Sequence, residues 1–197
     1  FANLFVQSSV NSFDHVLVEG NSAAANADPL VYDMMAAFYT ACSSFIAQNF
    51  GARKKKRILQ TYLICLFYSF ITSLVLGVGI YLARYPFLYL FTSDKAVVEA
   101  GITRLSIMAL SYSASAFMDA SIAASRGLGK TAVPTFVVVM GSCVFRIIWI
   151  YTIFAYFHTI QSLYILYVFS WGITAIAENI YFFHVYRHTL TEKKELC

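Results

Sequence analysis

The chain has 197 residues, 59% of them hydrophobic and only 12% charged, with 14 Lys and Arg against 10 Asp and Glu for a formal net charge of +4. Soluble domains carry roughly a quarter charged residues, and here the charges cluster while long runs carry none. That distribution excludes an ordinary soluble fold and indicates a membrane protein, so the positive balance is read as membrane sidedness and no nucleic-acid partner is expected.

The first span is the short apolar stretch 1–13. It falls short of a hydrocarbon core roughly 30 Å thick, so the chain reads as a fragment opening inside a helix, and the lack of a signal segment says nothing about targeting. Asn3, Gln7 and Asn11 stand four residues apart and share one stripe, flanked by Ser8, Ser9 and Ser12. Two readings stand: interhelical hydrogen bonds that hold a bundle together, or the polar wall of a substrate cavity.

A loop over 14–20, with Asp14 and Glu19, is expected to lead into a helix capped by Asn21 or Ser22 and spanning about 22–49. Asp28 and Asp33 fall in its first turns, where the dipole favours acids, and Pro29 between them predicts a kink. Asp33 is read as solvated at the interface. The stretch QNFGARKKKR at 48–57 holds five consecutive cations, Arg53 to Arg57, which belong on the cytoplasmic side beside anionic lipid.

A charge-free span over 58–83 follows, with Gly77 and Gly79 near its outer end for close helix approach or a bend, closed by Arg84, Tyr85 and Pro86. The aromatic-rich connection 85–95 suits the interface, and Ser93 with Asp94 can cap the next helix, 96–125. Arg104, near its outer end, is expected to snorkel as an anchor.

That helix carries Asp119, an acid deep in an otherwise apolar and small-hydroxyl segment, and such a residue is by default a functional candidate. Ser111, Ser115 and Asp119 recur every fourth residue, with Tyr112 two turns before the aspartate, so one polar face looks toward a cavity or a neighbouring helix.

After Arg126, GLGKT makes a turn, and the span 133–157 begins with Pro134 in its first turn. It carries Arg146 near its centre; the last span, 160–186, carries Glu178. Opposite charges on consecutive antiparallel helices predict a buried structural pair, Arg146 with Glu178. Ser170, Thr174 and Glu178 share a face. Six spans result, an all-α polytopic helix bundle. Of the 14 cations, Arg53, Lys54, Lys55, Lys56, Arg57, Arg126, Lys130, Arg187, Lys193 and Lys194 fall in connections this topology places inside, which supports both the helix count and a cytoplasmic C-terminus.

Enzyme motifs fail. GLGKT lacks the leading Gly of a phosphate-binding loop, since Ala124 stands there, and no strand precedes it. The four histidines sit at loops or span ends without HExxH or GxSxG patterns. Cys42, Cys65, Cys143 and Cys197 show no CxxC spacing and read as free thiols, and no metal site is expected beyond Na⁺ at Asp119.

Several stretches together resemble the multidrug and toxic compound extrusion (MATE) transporters. QNFGAR at 48–53 is similar to the family's inner-loop signature after the second helix of a lobe, SRGLGKTAVP at 125–134 to that after the fourth, and LFTSDKAVVEAGITRLSI at 90–107 to the segment entering the fourth helix. Their order matches the second lobe. The resemblance implies a twelve-helix transporter of two six-helix lobes, with this chain as the C-terminal lobe over 1–197, the missing N-terminal lobe as its partner and membrane lipid around it.

The implied activity is secondary active efflux of cationic or amphipathic drugs by antiport against H⁺ or Na⁺, with no other cofactor, in a bacterial inner membrane. Asp119 matches the acid that many bacterial members carry shortly before the RG turn and is the expected cation-coupling residue. Asn3, Gln7, Asn11, Tyr112 and Ser115 would line the cavity. Some sodium-coupled members add an acid in the lobe's first helix; none occurs in 1–13, so the coupling ion stays open. Two alternatives stand beside this reading: a lipid-linked oligosaccharide flippase of the wider superfamily, which usually needs several cations where only Arg146 is central, and a non-transporting membrane scaffold.

Overall fold

The computed structural model describes residues 2–188, so Phe1 at the head of the first expected span, and Lys193, Lys194 and Cys197 in the tail, lie outside the described residues. The described elements are α1 (Ala2–Val10), α2 (His15–Ala25), α3 (Ala27–Gly51), α4 (Lys55–Leu82), α5 (Arg84–Tyr89), α6 (Lys95–Gly127), α7 (Ala132–Val139), α8 (Phe145–Trp149), α9 (Ala155–Phe157) and α10 (Ile160–His188), with no strand among them. Four stretches are long and apolar enough to cross a membrane: His15–Gly51, Lys55–Leu82, Ala132–Phe157 and Ile160–His188. Helix α6 makes a fifth if its halves, Lys95–Ala109 and Ser111–Gly127, which meet at 43°, count as one span. Helix α1 is a short sixth element.

The expected loop over 14–20 is instead helix. Asp14 caps α2 by accepting the His15 N–H at 2.8 Å, and the chain continues helical to the only interruption before Gly51, at Asn26. Pro29 explains the position of that break: it has no N–H to give the carbonyl four residues earlier and its ring crowds it. The Asn26 side chain bridges the gap by donating to the carbonyls of Ser22 and Ala23 at 3.1 Å.

Helix α6 is the hub, packing against α2, α3, α4, α5, α7 and α10. It contributes to a different apolar cluster at each level. Val98 and Leu105 pack with Ala23, Ala24 and Leu88; Met108, Tyr112 and Ala116 with Val31 and Met35; Ala120, Ala123 and Ala124 with Ile46, Ile58, Tyr62 and Phe182. Asp94 alone caps it, accepting the Ala96 N–H at 2.8 Å. Close approach needs small residues, and a Cβ on Gly77 would lie 2.2 Å from the Ala109 carbonyl oxygen, whereas Gly79 faces open space. Of the two glycines flagged by the sequence, Gly77 is the contact.

The span Ala132–Phe157 is helical throughout but widens into π turns at Met140–Val144 and Ile150–Phe154. A π turn shifts the backbone register and leaves a carbonyl to be satisfied from outside the helix. Here the Gly141 carbonyl takes the Ser170 hydroxyl of α10 at 2.8 Å. At the basic end, Lys55 Nζ donates to the Arg187 carbonyl and sits over the Tyr186 ring, which ties the start of α4 to α10. The outer faces carry exposed Leu30, Met34, Phe67, Leu82, Phe136 and Ile180, side chains that suit contact with lipid.

Candidate functional site

The first turn of α3, just past the interruption at Asn26, packs against α6, and this places Asp28 at the centre of a polar network. One of its oxygens takes the Arg104 guanidinium, and Oδ1 accepts the Tyr112 hydroxyl at 2.6 Å. Arg104 Nη1 also donates to Asn21 Oδ1 at 2.8 Å. Arg104 is therefore buried and paired rather than an interfacial anchor. The reason lies in α2: its earlier start carries Asn21 and Asp28 to the level of Arg104, so the guanidinium finds acceptors inside the bundle and has no need to snorkel.

Beside this network opens a cavity of about 400 Å³, lined among others by Asn3, Asp28, Asp33, Tyr112, Ser115, Arg146, Tyr167 and Trp171. Its walls come from α1, α3, α6, α8 and α10, so no single element defines it. A smaller cavity of about 180 Å³ shares Asn3, Asp28 and Tyr167 and adds Gln7, Asn21 and Arg104. Asn11 lines neither; it accepts the Gln7 amide at 3.0 Å on an exposed face. The amide stripe thus divides, with Asn3 in both cavities, Gln7 at the smaller one, and Asn11 outside.

Asp119 sits one helical turn beyond Ser115, half-buried and not among the cavity-lining residues. Ser115 is the link: it lines the cavity and its hydroxyl donates to Asp119 Oδ2 at 3.2 Å. The carboxylate therefore has one neutral donor and no cationic partner within ion-pair distance among the described residues.

The expected Arg146–Glu178 pair is absent. Arg146 Nε donates to Ser170 Oγ at 3.2 Å, Nη1 to Asn3 Oδ1 at 2.8 Å, and its guanidinium carbon lies 4.4 Å from the Tyr167 ring centroid. Glu178 is fully buried, and neither of its oxygens has a hydrogen-bond partner. Depth separates the two. Gly141, five residues before Arg146, already sits level with Ser170 and Thr174, so Arg146 lies beyond them on a helix running antiparallel to α10, away from Glu178.

Residues that reasoning from sequence passed over are Asp28 as the partner of Arg104, Asp33 in the cavity wall, and Tyr167 with Trp171 on α10. The Asp28–Pro29 step carried a signal, because a proline beside an acid inside a span exposes backbone and side chain together. The aromatic pair carried none apart from its four-residue spacing. No three His, Cys, Asp or Glu side chains group as a metal site among the described residues.

A family model described as MatE matches residues 1–152. Two crystal structures of the Vibrio cholerae MATE transporter VcmN, one an aspartate-to-asparagine mutant and one in the bent form, are similar in fold. Each gives a TM-score of 0.84 at 19% identity over 94% of this chain and 42% of that chain. The chain thus spans 42% of the length of these solved transporters. No curated protein matches it.

Proposed function

This chain belongs to the MatE family, a family of multi-pass membrane transporters and not of enzymes, and from that premise we propose that it takes part in secondary active multidrug efflux, exchanging organic cations or drugs for H⁺ or Na⁺. A second lobe completes the cleft, membrane lipid surrounds it, and the setting is a bacterial inner membrane with the C-terminus in the cytoplasm. Asp119 is the coupling residue. The observation that carries the reading is the Ser115 hydroxyl, which borders the cavity on one side and donates to Asp119 at 3.2 Å on the other.

The physical requirement for coupling is a carboxyl whose affinity for a small cation differs between two conformations, because a ligand shifts an equilibrium only by its differential affinity. Asp119 suits this: among the described residues its side-chain donor is a hydroxyl that can turn away, and no cation lies within ion-pair distance of it. When H⁺ or Na⁺ occupies the carboxylate, Ser115 is free to reorient toward the cavity. When cationic cargo loads, the ion leaves. Tyr112, Asn3 and Asp33 give the cavity wall polar and anionic character, Asp28 being paired with Arg104, and Trp171 and Tyr32 supply aromatic surface for a delocalised cation, the Tyr167 face lying against Arg146.

The test is efflux of a fluorescent cationic dye from everted vesicles bearing the full-length parent, with proton and sodium gradients collapsed separately. Asp119→Asn should reach the membrane in normal amount and lose gradient-driven dye movement; full retention would refute the coupling role. The flippase reading draws less support. Of the two buried arginines, Arg104 is already committed to Asp28, which leaves Arg146 alone for a pyrophosphate. In a scaffold that does not transport, Asp119→Asn would change no dye movement.

A further inference from the structure

The five consecutive cations, equivalent in sequence, divide once the chain is folded. Lys55 turns to α10, where it donates to the Arg187 carbonyl. Lys54 and Arg57 instead line a groove of about 500 Å³ between the end of α3 and the start of α4. Arg53 and Lys56 are exposed and lie outside it.

A tight reversal sets this division. Arg53 takes a left-handed φ of 56°, and the N–H groups of Arg53 and Lys54 close back on the carbonyls of Phe50 and Asn49 at 3.0 and 2.9 Å. Those two bonds satisfy the last carbonyls of α3 while the chain turns into α4. From there Lys54, Arg57, Gln60 and Ile64 recur at three- and four-residue spacing, as Phe45 and Gln48 do on α3, so each helix gives the groove one face.

Polarity is graded along the groove. Lys54 and Arg57 mark its basic end; Phe45 and Ile64, each 55% exposed, continue it toward the middle of the two spans. Neither cationic side chain has an ion-pair partner among the described residues, and no Asp or Glu lines the groove. Two unneutralised cations at the end of two membrane spans, followed by exposed apolar side chains, match the two halves of a negatively charged lipid.

We propose that this groove binds an anionic phospholipid, with its phosphodiester on Lys54 and Arg57, its polar backbone against Gln48 and Gln60, and an acyl chain along Phe45 and Ile64. The site is separate from the central cavity and does not depend on the ion or cargo assigned there. Because α3 and α4 both pack on α6, a lipid held by both fastens two helices of the hub.

The experiment uses the detergent-purified full-length parent and two lipids with the same acyl chains, phosphatidylglycerol and phosphatidylcholine. Bound lipid is counted by native mass spectrometry across a titration. Wild type should bind phosphatidylglycerol about thirtyfold more tightly than phosphatidylcholine, the factor that two cations near a membrane surface supply. Lys54→Gln with Arg57→Gln should reduce that preference to about threefold or less. Arg53→Gln with Lys56→Gln, which removes the same charge from the same run, should leave it within about twofold of wild type. All four side chains are exposed, so neither pair of substitutions opens the core, and Lys54→Arg should retain the preference. Equal loss in the two double variants would mean diffuse attraction to the basic run and would overturn the site, as would equal binding of both lipids by wild type. Glycerol 3-phosphate is the third probe: if it displaces phosphatidylglycerol at equal concentration, the groove holds a free anion and the lipid assignment fails.

Discussion

Tyr112 donates its hydroxyl to Asp28 Oδ1 at 2.6 Å, across 84 residues of sequence, while Arg104 holds the other oxygen of the same carboxylate. Arg104 lies on the Lys95–Ala109 half of α6 and Tyr112 on the Ser111–Gly127 half. One aspartate thus joins both halves of the hub helix to the broken helix α2–α3, and it does so at the edge of the cavity.

That arrangement orders the cost of mutations. Tyr112→Phe removes one donor from a carboxylate that keeps its Arg partner and should cost about 1–2 kcal/mol. Asp28→Asn leaves the Arg104 charge buried without a counter-charge and should cost about 2–3 kcal/mol, discounted from a fully buried pair because Asp28 faces the cavity. The double mutant should cost less than the sum. Unfolding of the detergent-purified protein, followed by intrinsic fluorescence, checks the order; a larger effect of Tyr112→Phe would contradict the network.

Glu178 makes the opposite prediction. Its carboxyl is fully buried and has no hydrogen-bond partner, so replacing it with an apolar residue of similar length removes a desolvation cost and breaks no bond. Glu178→Met should leave the unfolding temperature unchanged or raise it. A marked drop would mean that the side chain has a partner after all.

Two glycines test the packing. At Gly77 an added Cβ meets a backbone oxygen 2.2 Å away, which no side-chain rotation relieves, so Gly77→Ala should cost about 3 kcal/mol or more. Gly79→Ala, pointing into open space, should be neutral or stabilise by up to about 1 kcal/mol through helix propensity. Thermal unfolding of the two variants side by side decides this.

Gly141 adds a test of the π turn. Its added Cβ would lie 2.0 Å from Thr174 Oγ1, a side-chain atom that a second mutation can remove. Gly141→Ala should destabilise by about 1–3 kcal/mol, and Thr174→Ala in the same chain should restore part of that loss. No restoration would place the clash on the backbone.

Ser115→Ala probes the link between cavity and coupling residue. It leaves Asp119 in place and removes its one side-chain donor. Gradient-driven dye efflux should fall several-fold at unchanged membrane abundance, less than with Asp119→Asn. Unaltered efflux would show that Ser115 does not connect the two sites.

Much of the architecture was legible because it depends on local chemistry. The charge-free run 58–83 marks the body of α4, the cations from Arg53 mark the junction of α3 and α4, and Asp94 identifies the start of α6; each follows from residues adjacent in the chain. The four-residue recurrence of Ser111, Ser115 and Asp119 likewise placed the last two on one face, where they hydrogen-bond. Asp14 was the local signal misread: an acid taken for a loop residue is the cap that starts α2.

What only the tertiary structure decided is which buried charge meets which. Arg104 could snorkel or pair, and Arg146 could reach Glu178 or not, because a sequence specifies helical phase but not the rotation and relative depth of packed helices. The packing of α2 and α3 against α6 and the antiparallel register of the Ala132–Phe157 span with α10 set those quantities here. They bring Asp28 to Arg104, 76 residues away, carry Arg146 past the level of Glu178, and leave its guanidinium facing a cavity instead of a carboxylate. Pairing energies fall off within a few ångströms, so small shifts in depth and rotation, invisible in composition and spacing, determine where the charges of this bundle end.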